Sequence, residues 1–258
     1  MTRLISGALL AGAALAAIRF LPVAALRVVA VMVAVVAVQE YIRVAGAAGG
    51  LSRILQVVAV AVACAAMSAG LAVDPVLVMV IALAWVGAEV LLLGHTLHQA
   101  ATALFAPIYL GIPLGMLVAI QDRLGWQGTL LLLVTIIVSD SAQYYTGRAL
   151  GRRPLAPAIS PKKTVEGALG GVLFGTLFMT IAGPWLFPSL APVWMWAAAA
   201  LAIVVLGISG DLFESRLKRT AGLKDSSTLI PGHGGILDRI DALLFATPAF
   251  FLFVRAAA

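Results

Sequence analysis

Apolar runs long enough to cross a bilayer follow one another along almost the whole chain, and that succession restricts the fold more than any other feature. Inside lipid each backbone N–H and C=O must be satisfied within the spanning element, so runs of about 20 apolar residues read as helices. They lie near 4–21, 23–41, 54–73, 76–93, 101–119, 128–146, 165–186, 194–212 and 239–254. The breaks have local causes. Pro22 and Pro75 open new helices, Gly49-Gly50 stands in a basic loop, and Gln121-Asp122-Arg123-Leu124-Gly125 is a polar turn. Arg19 and Arg27 bracket Pro22, so the first pair suits two crossings or a re-entrant hairpin. Only 11% of residues are charged and the mean hydropathy is +1.09, which excludes a soluble domain. The expected fold is an all-α polytopic integral membrane protein with about nine transmembrane helices. Residues 1–126 form an N-terminal set of helices, and 127–258 form a C-terminal region that carries the polar motifs.

The net charge of +6 raises the question of nucleic acid, but in a membrane chain it reads as Lys/Arg on the cytoplasmic side and attraction to anionic lipid or phosphate. With the N-terminus inside, thirteen Lys/Arg fall on the cytoplasmic side and only Arg19, Arg27, Arg123 and Arg255 outside. The runs at 165–186 and 194–212 form a hairpin, so loops 147–164 and 213–238 emerge on one face. Cys64, the single cysteine, lies in an apolar run, which removes disulfides and cysteine metal sites. The first run lacks an A-x-A cleavage signal and reads as a retained helix.

Charge beside membrane spans is expensive unless it is used, and residues 211–241 are dense in it. Asp238 and Asp241 stand three apart at the start of an apolar helix and share a face. Asp211, after Gly207 and Gly210, closes the preceding span. Such carboxylates favour a hard cation such as Mg²⁺ held together with substrate phosphates, which makes Asp211, Asp238 and Asp241 the candidate metal ligands. The plainer reading pairs Asp238 with Arg239 or another loop base. Arg216, Lys218, Arg219 and Lys224 offer forks and point charges to phosphate oxygens, although such a run alone reads as a headgroup anchor. In Pro231-Gly232-His233-Gly234-Gly235 the glycines allow backbone N–H groups to wrap an anion, and His233 can move a proton near neutral pH. A simple flexible turn is the other account of those glycines.

Upstream, Ser160-Pro161-Lys162-Lys163-Thr164-Val165-Glu166-Gly167 stands at the mouth of a span, where two lysines and two hydroxyls precede a helix N-terminus. Thr164 is also a natural N-cap, with Glu166 in the first turn. The spacing of a Walker A loop is absent. Asp140, among Ser139, Ser141 and Gln143, sits near the end of an apolar run, where a carboxylate is functional by default; Arg148 is its candidate partner. His95, His98 and Glu89 are too sparse to argue for a metal. Glu40, beside Tyr41 and Arg43, reads as an interfacial pair, Asp74 as a helix cap, and the five tryptophans as interfacial belts.

The run from Ser215 to Asp241 resembles the signature of the phosphatidate cytidylyltransferase (CDP-diacylglycerol synthase) family, Ser-x-apolar-Lys-Arg, four residues, Lys-Asp, then Pro-x-His-Gly-Gly-apolar-x-Asp-Arg-apolar-Asp. Gly210–Ser215 and Ser160–Gly167 match further blocks, and Asp140–Arg148 fits another except that Gln143 replaces a small residue. The likeness covers about residues 139–245; the first half matches only as hydrophobic spans. It implies an enzyme of the bacterial plasma (inner) membrane with cytoplasmic catalytic loops, joining CTP to phosphatidic acid to give CDP-diacylglycerol and pyrophosphate. It implies Mg²⁺, with a second cation compatible, and membrane lipid as surroundings, with no role for nucleic acid. The candidate catalytic set is Asp211, Ser215, Lys218, Arg219, Lys224, Asp225, His233, Asp238, Arg239 and Asp241. Asp140, Arg148, Ser160, Lys162, Lys163, Thr164, Glu166, Gly234 and Gly235 form the candidate substrate-binding set. Small-residue faces suit a homodimer and a monomer equally. A cytidylyltransferase for another lipid phosphate would share this site, a CTP-dependent polyprenol kinase would release CDP, and a transporter would disperse its acids among the spans.

Overall fold

The computed structural model describes residues 2–46, 50–71, 74–230, 232 and 234–257, with side chains from Gly7 onward. Its elements are α1 (Thr2–Phe20), α2 (Val23–Ala45), α3 (Leu51–Ser68), α4 (Pro75–Leu91), α5 (Leu97–Ala106), a π-helical turn (Pro107–Gly111), α6 (Ile112–Leu150), β1 (Pro154–Ala156), β2 (Ser160–Thr164), α7 (Val165–Leu186), α8 (Val193–Thr220) and α9 (Leu237–Ala257). Among the described residues, helix carries the body of each apolar run. Six stretches are long and apolar enough to cross a membrane: α2, α3, the 54 residues of Leu97–Leu150, α7, α8 and α9. Gly7–Phe20 and Pro75–Leu91 are shorter apolar helices. The protein is therefore an all-α membrane protein by its helices, with one addition that the sequence reading lacked, a small antiparallel hairpin of β1 and β2.

Local chemistry explains the boundaries. Asp74 accepts hydrogen bonds from Val76 N (2.7 Å) and Leu77 N, with Pro75 in the first turn, as its cap pattern implied. The polar turn expected at 121–125 reduces to a kink: helix runs on both sides of Gly125, whose φ of 70° and ψ of −173° interrupt it. Only glycine adopts that backbone without strain. In the hairpin, Pro154 pairs with Thr164 and Ala156 with Ser160.

Two compact units divide the chain, 1–119 with 220–238, and 120–219 with 239–258. Within the first, α3 meets the π-helical turn and the start of α6 at glycines. A Cβ on Gly111 would lie 2.6 Å from the Val60 carbonyl oxygen, and one on Gly115 2.5 Å from that of Cys64. Small residues at such crossings let helices approach in lipid, where no hydrophobic force draws them together. The Tyr41 hydroxyl donates to the Thr102 carbonyl at 2.9 Å. Helix α4 inverts the pattern of a water-soluble helix, burying Glu89 while Val76, Leu77 and Val78 stay at least half exposed. Glu89 accepts from Ser52 Oγ (2.8 Å) and Trp85 Nε1 (2.9 Å) and faces His95 Nδ1 at 2.6 Å, whereas His98 is exposed. The acid is saturated by its neighbours.

In the second unit α7 lies on α6 through glycines: a Cβ on Gly167 would meet the Gln143 carbonyl at 2.7 Å, and one on Gly171 that of Ser139 at 3.0 Å. Trp185 and Trp194 face outward, but Trp196 departs from the expected belt. It is fully buried, its ring 4.6 Å from Phe253, in the space that Gly183 leaves by having no side chain.

Candidate functional site

The hairpin is positioned by its own ends. Thr164 caps α7, its Oγ1 accepting from Gly167 N at 3.1 Å. Glu166, in the first turn, reaches back and accepts from Arg152 N (3.0 Å) and Arg153 N (3.2 Å). Val165 N donates to the Arg153 carbonyl, and Arg219 Nε, from the end of α8, donates to Ile159 O at 3.3 Å. These ties hold a strand on which Lys162 and Lys163 stand side by side. Beneath them opens a cavity of about 520 Å³, within the range of a small-molecule site. Asp140, Arg148, Ser160, Lys162, Lys163, Thr164 and Asp211 all line it. Three blocks remote in sequence, from α6, β2 and α8, thus share one wall. Tyr144 and Gly147 line it as well, though the sequence reading did not single them out.

Asp211 is the focus of this cavity. Its Oδ2 is paired with Lys163 Nζ, and Ser215 Oγ, one helical turn on, lies 3.5 Å from its Oδ1. Asp140 and Asp241 are both within electrostatic reach of Asp211 and of each other, Lys163 acts on Asp140, and Lys218 acts on Asp241. Asp241 is brought there by Gly210: a Cβ at that position would lie 2.6 Å from the Asp241 carbonyl oxygen, so α8 and α9 touch backbone to backbone. Lys218 Nζ also pairs with the buried Glu214 at 2.5 Å. The partners expected for Asp140 and Arg148 differ from those found. Asp140 accepts from Gln143 Nε2 at 2.9 Å, while Arg148 donates to the Tyr144 hydroxyl at 3.2 Å, each bond being the short i,i+3 or i,i+4 contact along α6.

The 220–238 segment belongs to the first unit. There Asp238 Oδ2 accepts from Ser226 N (2.9 Å), Ser226 Oγ (2.8 Å) and Gly235 N (2.7 Å). Gly234, at φ +79°, has no room for a Cβ, which would lie 2.5 Å from that same oxygen. Lys224, Asp225 and Arg239 are exposed, and His233 lies outside the described residues. The residue that sequence reasoning misjudged is Glu40. It is not an interfacial pair but a buried carboxylate accepting four hydrogen bonds from this segment. The rule applied to Asp140, that a carboxylate within an apolar span is there for a purpose, would have flagged it.

Among the described residues no group of three or more His, Cys, Asp or Glu side chains is placed to hold a metal ion. Mg²⁺ does not require one, since it keeps waters and takes one or two carboxylates together with substrate phosphates. Asp140 and Asp211 line the same cavity beside Lys163, and Asp241 is within electrostatic reach of both.

The model of the cytidylyltransferase family matches residues 1–257. The chain belongs to that family. Among curated relatives it is 42% identical to the phosphatidate cytidylyltransferase of Aquifex aeolicus over 127 residues, which are 49% of this chain and 47% of the other. It is 38% identical to that of Bacillus subtilis over 167 residues, 62% and 60% of the two chains. It is also 44% identical to the uncharacterized protein YnbB of Escherichia coli over 131 residues, 50% and 43%. The chain thus spans about half the length of the curated relatives it matches.

Proposed function

We propose that this cytidylyltransferase transfers a cytidylyl group from CTP to phosphatidic acid, giving CDP-diacylglycerol and pyrophosphate. The observation that carries the reading is the convergence of Lys162, Lys163, Asp140 and Asp211 on one cavity, with Asp241 in electrostatic reach. The names of the relatives supply the substrates.

The chemistry asks little of a base. A phosphatidate oxygen, already anionic, attacks the α-phosphorus of CTP; a new P–O bond forms, the bond from that phosphorus to the β-phosphate oxygen breaks, and pyrophosphate leaves with the electron pair. The barrier is the meeting of two anions, so catalysis rests on positioning and neutralisation. Lys162 and Lys163 clamp the triphosphate from β2, and Arg148, lining the same cavity, offers a fork from α6. Asp211 and Asp241, with Asp140 beside them and Asp238 one turn earlier on α9, are the residues that would hold Mg²⁺. When bound, the ion neutralises charge developing on the CTP phosphates. Ser215 steadies Asp211, and Lys218 and Arg219 hold the α8 end of the site; the sequence signature adds His233, Lys224 and Asp225 as residues for the nucleotide. Glu166 acts through the hairpin by holding its base.

The same reading takes the helices as nine crossings of a bacterial plasma membrane, counting the two arms of α6 on either side of Gly125 separately, with the hairpin and the 213–238 loop in the cytoplasm. Six stretches of sufficient length and the thirteen-to-four bias of Lys/Arg support it.

Purified protein in micelles containing phosphatidic acid, CTP and Mg²⁺ should release pyrophosphate only when the lipid is present. Release of CDP without pyrophosphate would point to a kinase instead. Lys163→Met should raise KM for CTP about tenfold and lower kcat on the order of 10²-fold, since it removes a phosphate clamp and leaves Asp211 without its paired cation. Steady-state kinetics at saturating lipid measure both.

A further inference from the structure

Glu40 lies near the end of α2, only 4% exposed, and its two oxygens are fully engaged by a segment some 190 residues away in sequence. Oε1 accepts from Ser227 Oγ (2.6 Å) and Ile236 N (3.1 Å); Oε2 accepts from Ser226 Oγ (3.0 Å) and Leu237 N (2.8 Å). With Gly235 N bound to Asp238, three successive backbone N–H groups at the start of α9 are satisfied by the protein's own carboxylates. Such N–H groups otherwise lack intrahelical partners and attract anions. Gly235 is obligatory for the same reason. A Cβ there would overlap Ser226 Oγ and both Glu40 oxygens. The Ser226 hydroxyl carries one proton between Glu40 and Asp238, so the two acids are linked through it.

We propose that Glu40 is a positioning residue for cytidylyl transfer, acting through the 226–237 loop on the start of α9, which carries Asp238 in its first turn and Asp241 three residues on. The inference rests on the function proposed above. Glu40 fixes where α9 begins, and Asp238 and Asp241 follow by helix geometry.

Glu40→Gln tests this with little change of shape. Its NH₂ can face a serine hydroxyl but not a backbone N–H, so one amide of Ile236 or Leu237 loses its acceptor. The expected result is a fall in kcat of about tenfold with KM for CTP within about twofold, because Lys162 and Lys163 are placed independently by Thr164 and Glu166. Hydrogen exchange at amides 235–237 should rise about tenfold while exchange in α5 is unchanged. A general loss of structure would raise both. Ser227→Ala, which removes one donor of four, carries the same test at smaller effect where Glu40→Gln fails to fold. Kinetics within twofold of wild type, or unaltered exchange at 235–237, would overturn the proposal. Wild-type protein that makes no CDP-diacylglycerol would instead sink the proposed function and the catalytic half of the inference, while raised exchange in the variant would still uphold the clamp.

Discussion

Asp241→Asn is expected to lower kcat for cytidylyl transfer on the order of 10³-fold or more while the protein inserts and purifies like wild type. The substitution keeps the size of the side chain and one oxygen able to accept from Ala242 N, which lies 2.7 Å from Oδ1 in the native chain. What it removes is one negative charge from the group of Asp140, Asp211 and Asp241. Removing a single preorganised electrostatic element from a phosphoryl site costs on the order of 10²–10³-fold, and a lost cation ligand costs more. Asp211→Asn should match it, since Asp211 also holds Lys163 in place. Turnover measured across a range of Mg²⁺ concentrations, beside the thermal midpoint in detergent, separates lost chemistry from lost fold. Turnover within tenfold of wild type for both variants would remove them as metal ligands.

Gly210→Ala should be nearly as damaging although it touches no charge. A methyl group there would lie 2.6 Å from the Asp241 carbonyl oxygen and 3.0 Å from Phe245 Cβ, and backbone cannot turn aside as a side chain can. Helix α8 must then move off α9, separating Asp211, the next residue, from Asp241. A misplacement of about 1 Å at a reacting centre costs on the order of 10²-fold, and that is the expected fall in kcat. Gly207, one turn earlier, supplies the control: a Cβ there meets nothing closer than 3.8 Å. Gly207→Ala should keep activity within about threefold of wild type. Equal kinetics for the two alanine variants would show that the approach of α8 to α9 does not matter to turnover.

The membrane helices were legible because a run of about 20 apolar residues has few other uses, and Pro22, Asp74-Pro75 and the capping pattern at Thr164 mark their starts through local chemistry alone. The hairpin at 154–164 was not legible. Its strands are three and five residues long, and Glu166 supports it by accepting from Arg152 and Arg153, a bond that no periodicity announces. Spacing alone placed Asp238 and Asp241 on one helix face, and both do stand in the first turns of α9. Spacing could not reveal that one Asp238 oxygen receives three donors from Ser226 and Gly235, nor that Asp140 comes within reach of Asp211 across 71 positions of chain. Glu40 was misread for the same reason. Its partners lie at the far end of the sequence, and only the fold brings them together.

The most direct test of the central claim follows the phosphorus. Purified protein is given phosphatidic acid, Mg²⁺ and CTP labelled either on its α-phosphorus or on its γ-phosphorus. A cytidylyltransferase acting as described sends the α-label into lipid-extractable CDP-diacylglycerol and the γ-label into pyrophosphate, with neither transfer in Asp241→Asn. Label from the γ-position in the lipid, or no labelled lipid from well-folded protein, would contradict it.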